Sequence, residues 1–290
     1  MKKITLLFVI SALLFSCSAC SDKKGKKDAV WVTFVLGKAD LIRQGAPARP
    51  VKAQEFLLNG DLIQTAEKSY VTLQINQDIV LAINPKTQFV LDKAEDLTAK
   101  EFQLNQGEVL SKLSKLTQGK MFTVKTPLIS AGVRGTEFLT CHNPQRSSVS
   151  VGSGQVLVSP MNNKAELILV KGNAADYQPE KDKLEKRNIS REEMLKLEFL
   201  NKLPAVENFQ QLSKQQQEEL AQKIGKLITE QESLLESIPQ TENNKTSAQL
   251  LSLEELKLKY GKIDIIKLYN GREIKGIILS RKPDMQVLTP

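Results

Sequence analysis

Between Val30 and Gln178 the chain is a succession of short runs rich in Val, Ile, Leu, Thr and Phe, set close together. The runs at 32–36, 71–75, 79–83, 122–125, 148–151 and 155–159 have the β-branched and aromatic content of strands. Gly60-Asp61, Asn76-Gln77-Asp78, Asn84-Pro85 and Gly152-Ser153-Gly154 punctuate them with turn residues. No long helical pattern lies between one run and the next, which leaves no crossover helices for a parallel βαβ sheet. The spacing predicts a mainly β, antiparallel domain over 30–178, of sandwich, jelly-roll or short β-solenoid type.

Beyond residue 178 the periodicity becomes helical. Ser190-Arg191-Glu192-Glu193 reads as a capping box opening a helix that runs through Leu203 and stops at Pro204. Ser213-Lys214-Gln215-Gln216 opens a second helix. Its apolar positions Leu220, Ile224, Leu227, Leu234 and Ile238 form a stripe with Gln231 in the seam. About three heptads with a polar gap make a short coiled-coil seam, so the stripe is expected to pack on the chain's own β domain. Residues 179–249 are thus a helical region and linker, with 241–247 a polar connection. Residues 250–290 read as a separate, small SH3-like β unit behind a short helix that Ser252-Leu253-Glu254-Glu255 caps and Gly261 ends. Runs at 263–269 and 273–279 flank Asn270-Gly271, a two-residue hairpin signal, because both turn residues take positive φ. A third strand is expected at 285–288.

The N-terminus specifies a compartment. Met1-Lys2-Lys3 precedes an apolar stretch, 4–15, interrupted only by Thr5 and Ser11. A spanning helix needs about 20 apolar residues, so this shorter run fits a secretory signal. It closes on Leu14-Phe15-Ser16-Cys17, which resembles a bacterial lipobox, in which the cysteine is diacylglycerated and becomes the mature N-terminus. Cys17 is the expected lipidation site. The rival is Cys20, which has Cys17 where the aliphatic residue of such a box stands. Residues 1–16 are then a signal peptide and 17–29 a lipid anchor and basic tether, holding the protein to a membrane. Ser18 is not the aspartate that keeps some lipoproteins in the inner membrane, which points to an outer membrane, facing the periplasm or the cell surface.

The chain has 41 basic and 33 acidic residues, a formal net charge of +8. Lys23, Lys24, Lys26 and Lys27 crowd the tether, where they keep a linker solvated and extended. Aromatic residues are only 5% and do not interleave with the basic ones, which excludes nucleic-acid binding. The one histidine, His142, adjoins Cys141. That pair cannot close a metal site, and neighbours on a strand point to opposite faces, so thiol and imidazole do not converge. The carboxylate pairs Asp92/Glu95 and Glu254/Glu255 lie in charge-rich stretches without a converging histidine. A non-enzymatic protein is expected, with no catalytic residue, metal or cofactor.

Two segments carry a family resemblance. Phe122-Thr123-Val124-Lys125-Thr126-Pro127 and Ala131-Gly132-Val133-Arg134-Gly135-Thr136-Glu137-Phe138 resemble the core of the FecR domain. Gly37 with Leu41 and Arg43, Asn59-Gly60-Asp61-Leu62-Ile63, Val149-x-Val151, Gly154-Gln155-Val156 and Leu169-Val170-x-Gly172 extend it. In the founding members this periplasmic domain follows a cytoplasmic segment and one membrane helix, and relays an outer-membrane receptor's signal to a sigma factor. Neither segment is read here, so the resemblance implies a periplasmic interaction module. Its motif residues Thr126, Pro127, Val133, Arg134, Gly135, Thr136 and Phe138 are expected to be structural. Pro127 ends a strand, Gly135 takes a tight bend, and Val133 and Phe138 face the core. Arg134 is expected to lie on backbone carbonyls or on Glu137.

The expected function is a membrane-anchored envelope lipoprotein acting as a protein-interaction or scaffold module, with strand addition at a sheet edge as its mode. Its partners are the membrane, through the lipid, and an envelope protein. The alternatives are a peptidoglycan- or glycan-binding anchor, for which Trp31 is the sole tryptophan, and a signalling component related to FecR-type sigma-factor regulation.

Overall fold

The computed structural model describes residues 29–94, 96, 99–114, 121–162, 165–207, 209–238 and three segments, 264–267, 273–280 and 286–288. Cys17, Cys20, the tether lysines, Glu95, the Ser252 cap with Glu254 and Glu255, and the Asn270-Gly271 turn lie outside the described residues.

The strands in chain order begin with β1 (Val30–Leu36), β2 (Ala39–Ile42), β3 (Arg49–Pro50), β4 (Phe56–Leu57), β5 (Leu62–Thr65) and β6 (Tyr70–Ile75). Next come β7 (Ile79–Ile83), β8 (Gln88–Leu91), β9 (Ala99–Leu113), β10 (Met121–Lys125), β11 (Ile129–Val133) and β12 (Glu137–Asn143). The domain ends with β13 (Arg146–Ser153), β14 (Gln155–Pro160), β15 (Leu167–Val170), β16 (Asn173–Gln178) and β17 (Lys183–Asn188). Helices α1 (Arg191–Lys202) and α2 (Lys214–Glu236) follow, then β18 (Asp264–Lys267), β19 (Glu273–Ser280) and β20 (Gln286–Leu288).

The first seventeen strands make two layers joined by β9. One layer runs β4-β1-β6-β7-β9-β12-β13-β16-β17 and is covered by the helices. The open layer runs β3-β2-β5-β8-β9-β10-β11-β14-β15. The expected antiparallel pairing holds with one exception among the described strands, β9 with β10, where Met121 lies opposite Ala99 in a parallel register. The reason is the course of β9, whose first half pairs in the open layer and whose second half pairs with β7 and β12 in the other. The chain then returns beside the start of β9 and runs in the same direction. Gly107, at φ +92°, marks the crossing.

The core between the layers is one apolar cluster fed by alternate residues of every long strand. Phe89, Phe102, Phe122 and Phe138 form a row through it, with ring centroids 5.5, 5.0 and 6.2 Å apart. Such pairs add about 0.5–1.5 kcal/mol each beyond their burial. A second cluster joins Phe34, Tyr70, Val80, Ala82, Leu110 and Leu139 to the helices through residues such as Leu200, Ile224 and Ile228. With apolar neighbours on both faces, β6 and β7 are buried along their length, which is why 79–83 is a continuous apolar run without alternation.

Both expected capping boxes form: Ser190 accepts from the Glu193 amide and Ser213 from the Gln216 amide, each with its reciprocal bond. The stripe on α2 packs on the chain's own β domain with most of the expected residues, Ile224, Gln231 and Ile238 being buried and Leu220 and Leu227 partly buried, and departs from expectation at two positions. Ile228 is fully buried and Leu234 is 46% exposed. At 3.6 residues per turn, Leu234 sits about 80° from Ile224 and Ile228 only about 40°. The C-terminal strands β18, β19 and β20 form an antiparallel three-stranded sheet. In the first pair, Lys267 lies opposite Glu273.

Candidate interaction site

The family-motif residues build two abutting turns. Thr126 is buried, and its Oγ1 accepts from the amides of Leu128 (3.1 Å) and Ile129 (2.9 Å). The same oxygen lies 2.8 Å from Ser147 Oγ. Pro127 is exposed in the turn between β10 and β11, where a missing donor is harmless. Val133 and Phe138 enter the core as expected, and buried Thr136 donates to the Gln155 carbonyl at 2.9 Å. Gly135 has φ +146°. A Cβ on Gly154 would lie 2.6 Å from the Gly135 carbonyl and 2.8 Å from Thr136 Oγ1, so the 134–136 and 153–155 turns meet backbone to backbone. Arg43 and Asp61 also meet, in a two-pronged ion pair at 2.6 Å, with the Asp61 carboxylate fully buried.

Arg134 departs from expectation. It is exposed and makes no hydrogen bond or ion pair with the described residues. Gly135→Val is expected to cost more than about 2 kcal/mol through strain and overpacking at this junction. Denaturant unfolding checks it; an unchanged midpoint would mean that the turn is not structural.

Cys141 and His142 sit on β12 and face apart. Cys141 is half-buried against the helix-side cluster, where burial and the Glu108 charge push its thiol pKa well up. His142 is buried, with Nδ1 2.8 Å from Ser147 Oγ, and burial lowers its pKa. His142, Ser147 and Thr126 thus form a polar chain that ties β12 and β13 to the motif turn. Trp31 is half-buried beside Phe56, ring centroids 5.6 Å apart.

A groove of about 800 Å³ lies where α1 meets the helix-side layer, lined in part by Glu108, Asp176, Arg187, Glu192, Glu193 and Lys196. Arg187 donates to Asp176 (2.7 and 3.2 Å) and to both Glu193 oxygens (2.7 and 2.6 Å). Glu193 also accepts from Ser150 Oγ and the Ser190 amide, each at 2.7 Å. Burial opposes its ionisation, but the Arg187 bonds and charge prevail and hold the carboxyl at about 2. Lys196 bridges Glu108 and Glu192, at 2.7 Å each. These ion pairs, in which two cations each serve two carboxylates, clamp α1 to the sheet. Only Glu193 was foreshadowed, by its capping box; the others come from distant elements with no local signal. Among the described residues, no group of three or more His, Cys, Asp or Glu is placed to hold a metal.

The layer margins differ in chemistry. An exposed edge strand invites pairing with another chain, and proteins blunt it with charge, proline or shortness. β3 is two residues, Arg49–Pro50, and β4 is two residues, Phe56–Leu57. β17 carries Lys183, Glu185, Lys186 and Arg187. β15 has none of these protections: it is Leu167-Ile168-Leu169-Val170, paired only with β14 among the described strands. Ile168 is 59% exposed, Val170 42%, and Leu157, opposite Ile168 on β14, 40%.

Residues 61–157 match the family model described as FecR protein. Two crystal structures of a proposed anti-sigma factor from Parabacteroides distasonis, at 2.50 and 1.65 Å resolution, are similar to this chain at 15% identity and TM-score 0.42. The likeness covers 74% of this chain and 97% of theirs. No curated protein matches.

Proposed function

We propose that this chain is a lipid-anchored envelope protein whose FecR-like β domain is a non-enzymatic interaction module, docking its partner on the free edge of β15. The observation that carries the reading is the contrast among the margins: three are charged or minimal, and the fourth is aliphatic and, among the described strands, paired on one side only. Strand addition there draws affinity from main-chain hydrogen bonds and specificity from alternate side chains. In-cell crosslinking tests it. Ile168→Lys is expected to remove a specific captured envelope protein without lowering the chain's own level; unchanged capture contradicts it.

The anchor rests on Leu14-Phe15-Ser16-Cys17. Cys17→Ala is expected to abolish labelling by an alkyne fatty acid. Labelling that persists there and disappears in Cys20→Ala would move the anchor to Cys20. Fractionation of the mature protein with outer-membrane markers is the expected location, and inner-membrane fractions contradict it. A FecR-type signalling role is the second reading, favoured by the family match over 61–157. Capture of a receptor or sigma regulator by β15 would bring it forward.

A further inference from the structure

We propose that the partner taken by β15 is a second copy of this chain, paired antiparallel through β15 itself; this rests on the interaction-module reading above. In β15 the even-numbered residues face outward, Ile168 and Val170, while Leu169 is buried in the core. Two copies related by a two-fold axis through Leu169 would set Ile168 of each opposite Val170 of the other, outward face to outward face. The rows continue onto β14, because Leu157 lies opposite Ile168 and Gln155 opposite Val170. Leu157, Ile168 and Val170, all exposed in one copy, would then form one covered apolar band across both.

The strand ends favour this direction and this register. The exposed Glu166 precedes β15 and the exposed Lys171 follows it. Antiparallel pairing brings the acidic end of one copy beside the basic end of the other; a parallel arrangement sets like charges together. An axis through Ile168 instead would put Glu166 against Val170, a charge against an apolar side chain. Four residues per copy are few against the about 1,000 Å² that a stable interface clears, so the pairing is weak in dilute solution. Tethering both copies to one membrane would raise their effective concentration to about 1 mM.

Sedimentation equilibrium of the purified full chain in detergent micelles, up to about 1 mM protein, tests the proposal at the concentration that tethering supplies. The expected result is a concentration-dependent dimer that Ile168→Lys reduces at least tenfold in association, with an unchanged melting temperature. Val170→Lys is the second variant, should the first melt early, and is expected to act alike. A monomer throughout, or a dimer that survives both substitutions, overturns it. So does association that appears only with anionic lipid vesicles, which would make the band a membrane contact. A monomer whose β15 still captures another envelope protein in cells sinks self-pairing alone. A monomer whose crosslinks are indifferent to Ile168→Lys sinks the module reading as well.

Discussion

Gly107→Ala is expected to destabilise the β domain by about 4 kcal/mol, the sum of backbone strain and overpacking at one point. Gly107 sits at φ +92°, where β9 crosses between layers. A Cβ there would lie 2.6 Å from Thr87 Cα and 2.8 Å from the Lys86 carbonyl, and neither backbone atom can step aside cheaply. Thr87 is itself held: it is fully buried, its amide donates to Thr65 Oγ1 at 2.9 Å, and its Oγ1 accepts from the Glu108 amide at 3.0 Å. Moving Thr87 would disturb β8 and β9 together. A domain of this size should lose about 10 °C in melting temperature. Gly60→Ala is the matched control: its φ is +85° but a Cβ there meets nothing within 4 Å, so it isolates the strain from the clash. If both substitutions cost the same, the close approach at Gly107 contributes nothing.

Arg187→Met is the second large effect, at about 3 kcal/mol, because it strands two carboxylates that the guanidinium now serves. The side chains of Arg187, Asp176 and Glu193 are 24, 17 and 12% exposed, so solvent screens the loss only in part. The pH dependence separates this ion cluster from simple lost packing. Glu193 titrates at about 2 when folded, below its ordinary 4.5, so the unfolded chain binds more protons between those values. Its stabilisation is present above pH about 4.5 and is lost as the pH falls toward about 2. Arg187→Met and Glu193→Gln are both expected to flatten that part of the acid-unfolding profile. A variant that keeps the wild-type acid slope would show that Arg187 does not depress Glu193.

What could be read from residues alone was local. Capping boxes at Ser190 and Ser213 are written in four consecutive residues, and each forms. The apolar run 79–83 stands out because both faces of its strand are covered, whereas 71–75 alternates apolar and polar residues although it is buried throughout. β9, the longest of the described strands at 15 residues, has no continuous signal, because its apolar alternation is confined to Phe102 and Leu104 and is broken by the polar stretch 105–108 before Val109. Its crossing at Gly107 depends on Thr87, twenty residues earlier in the chain, in the turn just before β8, and no spacing rule encodes that approach. The Arg187 cluster draws on β16, β17 and α1, and the Lys196 bridges on β9 and α1, so neither has a contiguous signature. Arg134 resembles the motif in type, yet it is exposed and without a hydrogen-bonding or charged partner among the described residues, for which the structure gives no local reason. Part of β15, Leu169-Val170, entered only as an element of the family resemblance, and its standing as an edge is a property of the whole sheet. A strand is an edge only because no other strand claims its second side.

The docking role of β15 is tested most directly by placing a photo-activated crosslinking side chain, one position at a time, at Ile168, Leu169, Val170 and Lys186 in the full chain in growing cells. Strand addition predicts a period-two pattern: strong adducts from Ile168 and Val170, which face outward, and weak ones from buried Leu169 and from Lys186 on the charged margin. Equal adducts from all four positions, or none from β15, would contradict it.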